Sequence, residues 1–351
     1  MKVCFVDKTT NLDSLADIEY RARGGMVCSL IKLPDVLSQL GCECYVISDI
    51  KSGGVTDHGA IWYTDGQMTD EQKNQRYDFL VYNRQTCNGF SEIKTKYRIL
   101  WTHDIPHHGF IPDARILNVI DATVFMSGYA ERIWRKYFPK IRKSYQIPNG
   151  VDKEIFYPRD KDFNKIIFIS APNRGLHRLP MIFEVLRKRV SEKIELYAFS
   201  NMSKLHPENT EEGYEGVYQA CVDSGIKLSD PIPQPMLAKH LGESSLMILP
   251  SAYPEICSNS ILQTLISGVP ILTNDVGSAG EWIKSGWNGF LTEFKPHDYW
   301  VFELELLLFA KTLFQNRRHH KKMIRNATKT PKIYTWEQIG EQWFQMLKQL
   351  Y

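Results

Sequence analysis

The chain has 351 residues, with 43 lysines and arginines against 40 aspartates and glutamates, for a formal charge of +3. Its 43% hydrophobic and 24% charged residues are those of a globular protein and exclude a disordered, collagen-like or coiled-coil chain, while the length predicts about two domains of ~150 residues each. No apolar run reaches the ~18 residues a membrane-spanning helix needs, and MKVCFVDKTTNLD lacks the apolar core of a signal peptide, so a cytoplasmic protein with no nucleic-acid partner is expected.

In chain order, KVCFV (2–6) reads as a buried strand, followed by a polar loop to Gly24-Gly25 and a helical pattern from Met26 to Leu40 closed by Gly41. CYVIS (44–48), DFLVY (78–82), RILWT (98–102) and ATVFM (122–126) continue the series, with a helix through Arg135 and a strand before Ile147. Continuous apolar strands alternating with helices predict a parallel sheet covered on both faces. From Ile147, IPNGVDKEIFYPRDKDFNK carries prolines and charges without periodicity and reads as a linker. A second series follows through IIFIS (166–170), IELYAF (194–199), SLMILP (245–250) and VPILT (269–273), with a helix from about Tyr299 to Phe314. The final segment spaces Trp336, Ile339, Trp343, Phe344 and Leu347 at helical intervals. Two doubly wound domains are expected, 1–157 plus 332–351 and 158–331, with ligands at strand C-terminal ends and the site between the domains.

The seven cysteines (Cys4, Cys28, Cys42, Cys44, Cys87, Cys221, Cys257) are too sparse for a disulfide scaffold; reduced buried thiols are expected, with metal binding by Cys42 and Cys44 the weaker reading. GxGxxG, GxxxxGK[ST], HExxH and GxSxG are absent, which argues against a dehydrogenase, a P-loop NTPase, a metalloprotease and an α/β-hydrolase. Asp160-Lys161-Asp162 matches DxD but falls in the charged linker, where coincidence is the better reading.

The richest stretch runs from Leu246 to Leu291 as strand, loop, helix, strand, loop. Glu255 ends the first loop, and Cys257, Ser258 and Asn259 are expected to begin the helix, whose free N–H groups suit a diphosphate. A carboxylate accepts hydrogen bonds and never donates, so Glu255 can select sugar hydroxyls without a metal. This segment resembles the donor signature of the retaining glycosyltransferases of family 4, which have the two-domain GT-B fold. Glu255 matches the first family glutamate, SGVPILT the following strand, and GSAGEWIKSGWNGFL the closing loop with Glu281; Gln263 stands where the family has a second glutamate that binds the nucleotide ribose.

IPNGVDKEIFYP (147–158) is similar to the family's junction motif, and APNRGLHRL (171–179) places Arg174 where a cation meets the donor phosphates; without the resemblance, Arg174 is a solvated loop cation. Gly24 and Gly25 either open a helix or let backbone approach the donor. In WTHDIPHHG (101–109), His103 resembles the histidine the family sets near the reacting sugar carbon, with Asp104 and His107 as weaker acceptor-side neighbours. ERIWRKYFPKIRKSY (131–145) reads as a solvated basic face or a peripheral membrane contact, and NRRHHKKMIR (316–325) as a solvated face. The resemblance implies an α/β GT-B protein whose C-terminal helix crosses back to the first domain. It implies a retaining glycosyltransferase that needs no metal or other cofactor and moves a sugar from a nucleoside diphosphate sugar to a glycan, lipid-linked or small-molecule acceptor. A non-catalytic sugar-nucleotide-binding protein, suggested by Gln263, and a GT-B epimerase or phosphorylase are the alternatives.

Overall fold

The computed structural model describes residues 1–15, 25–64, 74–84, 93–106, 117–205, 209–293 and 299–351. Two compact units divide the chain, the first comprising Met1–Tyr20, Gly25–Gly150 and Tyr334–Tyr351 and the second chiefly Val151–Ile333.

The first unit runs β1 (Lys2–Ser14), α1 (Gly25–Gln39), β2 (Glu43–Ser52), β3 (Gly54–Val55), β4 (Ile61–Thr64), β5 (Tyr77–Asn83), β6 (Thr95–Trp101), β7 (Ala122–Phe125), α2 (Gly128–Tyr137) and β8 (Lys143–Gln146). Its sheet has the order β3-β4-β2-β1-β5-β6-β7-β8, with every pair parallel except β3 with β4. Val3, Cys4, Phe5 and Val6 are buried, as their unbroken apolar run requires for a strand covered on both faces. The strand order reverses between β1 and β5, which makes the C-terminal ends of these two strands the switch point of the sheet. The basic stretch 131–145 is not one amphipathic face: α2 stops at Tyr137, Phe138 caps it before Pro139, and Lys143–Gln146 is the edge strand. A residue before proline is pushed out of helical geometry, which ends the helix there.

The second unit begins at Val151, within β9 (Gly150–Val151). It contains β10 (Lys165–Ile169), α3 (Leu179–Arg189), β11 (Glu195–Phe199), α4 (Met202–Leu205), α5 (Glu215–Asp223), β12 (Lys227–Ser229), α6 (Gln234–Glu243), β13 (Leu246–Leu249), α7 (Asn259–Ile266), β14 (Ile271–Asn274), α8 (Ala279–Trp282), β15 (Gly289–Thr292), α9 (Tyr299–Gln315) and α10 (Arg317–Ala327). The sheet is wholly parallel in the order β12-β11-β10-β13-β14-β15. Its first strand, β10, therefore lies beside its fourth, β13, and the winding reverses between them. Residues 151–165 are not an open tether: Phe156 is buried, and the backbone N–H groups of Arg159 and Asp162 donate to Gly242 and Glu243 at the end of α6.

After β16 (Tyr334–Thr335), the C-terminal helix α11 (Trp336–Leu350) returns to the first unit. A reciprocal capping box between Thr335 and Gln338 starts it. Its apolar stripe drives Trp343, which has no exposed surface, between Phe5 (6.4 Å between ring centroids) and Trp101 (5.2 Å).

Candidate functional site

At the C-terminal edge of the second unit's sheet, the loops after β10 and β13 leave in opposite directions from the reversal point, where doubly wound sheets bind ligands. Each loop carries one expected site residue. The β10 loop makes a tight 3-10 turn, Pro172–Arg174, then Gly175 at φ +98°, where a Cβ would meet the carbonyl oxygen of Pro250 at 2.2 Å. Only glycine allows this approach, which seats Arg174 against the end of β13. Following β13, Glu255 is clamped from behind: Gly277, at φ +69°, leaves no room for a Cβ beside Glu255, and the Ser278 N–H donates to the Glu255 carbonyl at 2.8 Å. The two side chains consequently meet. Arg174 Nε donates to Glu255 Oε1 at 2.6 Å, and the guanidinium lies over the Tyr253 ring at 3.6 Å from its centroid. Arg174 and Glu255 side chains are 11% and 27% exposed, so the pair is shielded without being sealed.

Tyr253 was not singled out from sequence; the signal was its place two residues before Glu255, which sets an aromatic face within reach of the loop cation. The pair leaves chemistry to spare. Among the described residues, the terminal guanidinium nitrogens of Arg174 and Glu255 Oε2 make no hydrogen bond. Stacking and the Nε bond fix the guanidinium plane, and its two NH₂ groups are offered as a fork suited to phosphate oxygens.

Helix α7 starts at Asn259 with Ser258 as its N-cap, so Cys257 and Ser258, expected to begin the helix, precede it. The Ser260 hydroxyl donates to the Ile169 carbonyl at 2.7 Å and latches the helix start to the end of β10. First-turn N–H groups lack intrahelical partners and face the positive end of the helix dipole, an arrangement that suits a diphosphate. Gln263 lies one turn further along the same face as Asn259, and its Nε2 donates to Gln234 Oε1 at 2.9 Å. Gln234 was missed; no motif marks it, only two flanking prolines. Glu281 lies in α8, the short helix after Gly277 and Ser278.

In the first unit, β5 and β6 end in a second cluster. Asn83 donates to Asp7 at the end of β5. Arg84 follows in the left-handed region at φ 69°, uncommon for a side-chain-bearing residue; its N–H donates to the Trp101 carbonyl at 2.8 Å and its Nε pairs with Asp104. Trp134 Nε1 donates to the Asp104 carbonyl at 2.8 Å, fixing the turn that carries His103. The His103 ring packs on Trp101 at 4.4 Å between centroids, and its Nε2 is buried with no partner among the described residues. Burial, with the Arg84 charge adding to it, pushes the imidazole down to about 3, so it is neutral at physiological pH. Arg84 left no trace in the sequence, because a left-handed backbone at a non-glycine residue has no compositional signature.

Gly25 is the first residue of α1, with the Ser29 hydroxyl donating to its carbonyl at 2.9 Å; Gly24 and His107 lie outside the described residues, as does Cys87. Cys4, Cys42, Cys44 and Cys221 are buried thiols outside any disulfide, and burial pushes the Cys44 thiol up to about 12. Asp160 and Asp162 are exposed, and Asp162 caps the Asn164 N–H at 2.9 Å. Among the described residues, no group of three histidines, cysteines or carboxylates could hold a metal ion, and no helix is long and apolar enough to cross a membrane.

Residues 164–307 match the family model described as Glycosyl transferases group 1. That span includes both strands of the reversal point with Arg174, Glu255 and α7, so the family match falls on the candidate site, and the chain is a glycosyltransferase. Comparison with curated proteins gives no match. Among solved structures, the chain is similar to a sucrose-phosphate synthase from Thermosynechococcus elongatus, with a TM-score of 0.75 at 13% identity over 99% of this chain and 98% of that one. It is similar to Anabaena HepE in complex with UDP and glucose, at 0.74 and 15% over 99% and 100%, and to a glycosyltransferase from Rickettsia africae, at 0.73 and 14% over 99% and 98%. These likenesses establish the fold, which is GT-B.

Proposed function

We propose that this glycosyltransferase is a retaining, metal-independent enzyme of the family 4 type that transfers a sugar from a nucleoside diphosphate sugar to a glycan, lipid-linked or small-molecule acceptor. The observation that carries the reading is the meeting of Arg174 and Glu255 at the β10/β13 reversal point, beside the start of α7. The terminal NH₂ groups of Arg174 and the first-turn amides of α7 take the diphosphate, and Glu255 Oε2 accepts a hydroxyl of the donor sugar. When the bond from the anomeric carbon to the phosphate oxygen breaks, its electron pair goes to the diphosphate, and positive charge fixed in place beforehand stabilises it there. These two sources of positive charge are the basis for metal independence. The acceptor oxygen bonds to the anomeric carbon on the face the diphosphate leaves, and its proton passes to the departing phosphate oxygen. His103 and Asp104 serve the acceptor side, and Gly24, Gly25, Cys257, Ser258, Asn259 and Gln263 the donor.

The complex of Anabaena HepE with UDP makes UDP-sugars the first donors to test. A thermal-shift panel of UDP-, GDP- and ADP-sugars should show one series raising the melting temperature, because a ligand bound by the folded state alone stabilises it. A flat response to every series would sink the reading. Binding without transfer or hydrolysis would instead favour the sugar-nucleotide-binding protein that Gln263 suggests. Exposed Arg132, Lys136, Lys140, Arg142 and Lys143 beside the half-exposed Tyr137 support a peripheral contact with an anionic membrane.

A further inference from the structure

We propose that helix α10 is a docking face for an anionic lipid bilayer, where the sequence alone reads as a solvated face. Arg317, Arg318, Lys321, Lys322 and Arg325 are all exposed and fall within an arc of about 140° around the helix, opposite the buried His320, Met323 and Ala327. Lys329 and Lys332 follow, exposed, after the helix end, and no aspartate or glutamate stands between Glu305 and Glu337. None of these cations makes an ion pair or a side-chain hydrogen bond among the described residues; Arg317 alone has a partner, the Phe163 ring, with its Cζ 3.9 Å from the centroid. Arg317 with Lys321, Arg318 with Lys322, and Lys321 with Arg325 are like-charged neighbours one turn apart, an arrangement that destabilises a helix. A face that only has to stay in water would alternate its charges. A dense layer of anions relieves the repulsion and is the surface this face complements.

The fold sets this face at the end of the second unit's sheet away from the donor residues. His320 Nε2 donates to the Ser245 carbonyl at 2.7 Å, just before β13, and its ring meets Phe163 edge-on at 5.1 Å between centroids, just before β10. Both anchors stand at the N-terminal edge of the parallel sheet, whereas Arg174 and Glu255 stand at its C-terminal edge. Helix α9 joins α10 through Asn316 alone, and its exposed stripe of Leu304, Leu308, Lys311 and Gln315 leads to that turn. Leu304 and Leu308 are 50% and 58% exposed. Exposed aliphatic side chains beside a row of cations fit the headgroup boundary of a bilayer, which takes both, better than a soluble polyanion, which takes only the charges. Single-stranded nucleic acid fits poorly, because α10 has no phenylalanine, tyrosine or tryptophan on which a base could stack.

The test is co-sedimentation of the full chain with vesicles of phosphatidylcholine alone and of phosphatidylcholine mixed with phosphatidylglycerol in equal parts. Binding to the mixed vesicles alone, weakening as salt rises, is the expected result. Each cation beside an anionic bilayer contributes about fivefold, so Lys321→Glu combined with Lys322→Glu should weaken that binding about 25-fold or more. The same double variant places glutamates one turn from Arg317, Arg318 and Arg325, so its melting temperature should equal or exceed that of the unmodified chain, and lost binding would not be lost fold. Arg132→Glu combined with Lys136→Glu, on α2, separates the two basic surfaces: binding unchanged in the α10 variant, whether or not the α2 variant loses it, would overturn the inference. So would failure of the unmodified chain to bind the mixed vesicles, or retention on heparin without binding to vesicles, which would place a soluble polyanion on α10. Release of nucleoside diphosphate in solution should be equal in the α10 variant and the unmodified chain, so the docking face and the donor site stand or fall separately.

Discussion

Arg174 and Glu255 are 81 positions apart, yet each is the other's nearest charged partner, so neither acts alone. Glu255→Ala removes a hydrogen-bonding carboxylate and releases the guanidinium it orients. Turnover should fall roughly 30-fold to 1000-fold with the fold intact, as the circular dichroism spectrum would show. Arg174→Lys should not restore the function, because an ammonium has neither the Nε that Glu255 holds nor the plane that stacks on Tyr253; a lysine variant of normal activity would show that Arg174 is only a point charge. At His103, burial holds the imidazole far below the ordinary histidine range, so the folded chain stays neutral there while an unfolded histidine takes up a proton below about pH 6.5. The unfolded state then binds more protons, and this residue makes stability fall as pH drops from 6.5 toward 3. The His103 ring resonances should show no titration between pH 5 and 8; an inflection near 6.5 would mean that the ring is solvated.

Two elements of the second unit meet at a residue outside the donor site. Lys161 Nζ donates to the carbonyls of Gly242 (2.6 Å) and Ser267 (2.8 Å), at the C-terminal ends of α6 and α7, the helices that carry Gln234 and Gln263. Burial, and then the neighbouring Lys165 charge, push Lys161 down to about 7, and a neutral amine retains two N–H groups for its two carbonyls. Lys165 is itself paired with Glu243 at 3.0 Å, so Glu243 does not neutralise Lys161 alone. Between pH 7 and 10.5 the unfolded chain binds the extra proton, so Lys161 makes stability rise with pH across that window. Urea unfolding at pH 6, 7.5 and 9 should show that rise in the unmodified chain relative to Lys161→Met. Parallel curves for the two proteins would mean that the amine is ordinarily charged. In the first unit, removing α11 by ending the chain at Thr330 should expose Phe5, Trp101 and their neighbours. Trp343→Ala alone should cost about 3–5 kcal/mol, because it empties a fully buried site. A truncated chain with an unchanged melting transition would contradict that packing.

At the scale of the whole chain, the longer strands of both sheets were legible because parallel strands buried on two faces read as unbroken apolar runs, as KVCFV and IIFIS do, whereas β4, β12 and β15, of three or four residues, were not read. Strands β3, β9 and β16 have two residues each and carry no period to read. Within 131–145 the charge spacing persists past Pro139, yet the helix through Arg135 and the strand before Ile147 were legible, and the backbone changes from helix to edge strand between them. Glu255 and Arg174 were legible as residue types beside glycines, but their pairing was not, since it depends on β10 and β13 being neighbours in the sheet. Gln234 and Arg84 stayed hidden because a hydrogen-bonded partner and a left-handed backbone leave no pattern in sequence. On the proposal that Arg174 and the α7 start supply the positive charge for the leaving diphosphate, transfer should survive EDTA; loss restored by magnesium would overturn the metal-independent proposal. The most direct test of the central claim is release of nucleoside diphosphate from the donor sugar that the thermal-shift panel identifies, followed for the unmodified chain and for Glu255→Ala. Steady release by the unmodified chain, abolished in Glu255→Ala, is the predicted result, and equal release by the two proteins would contradict it.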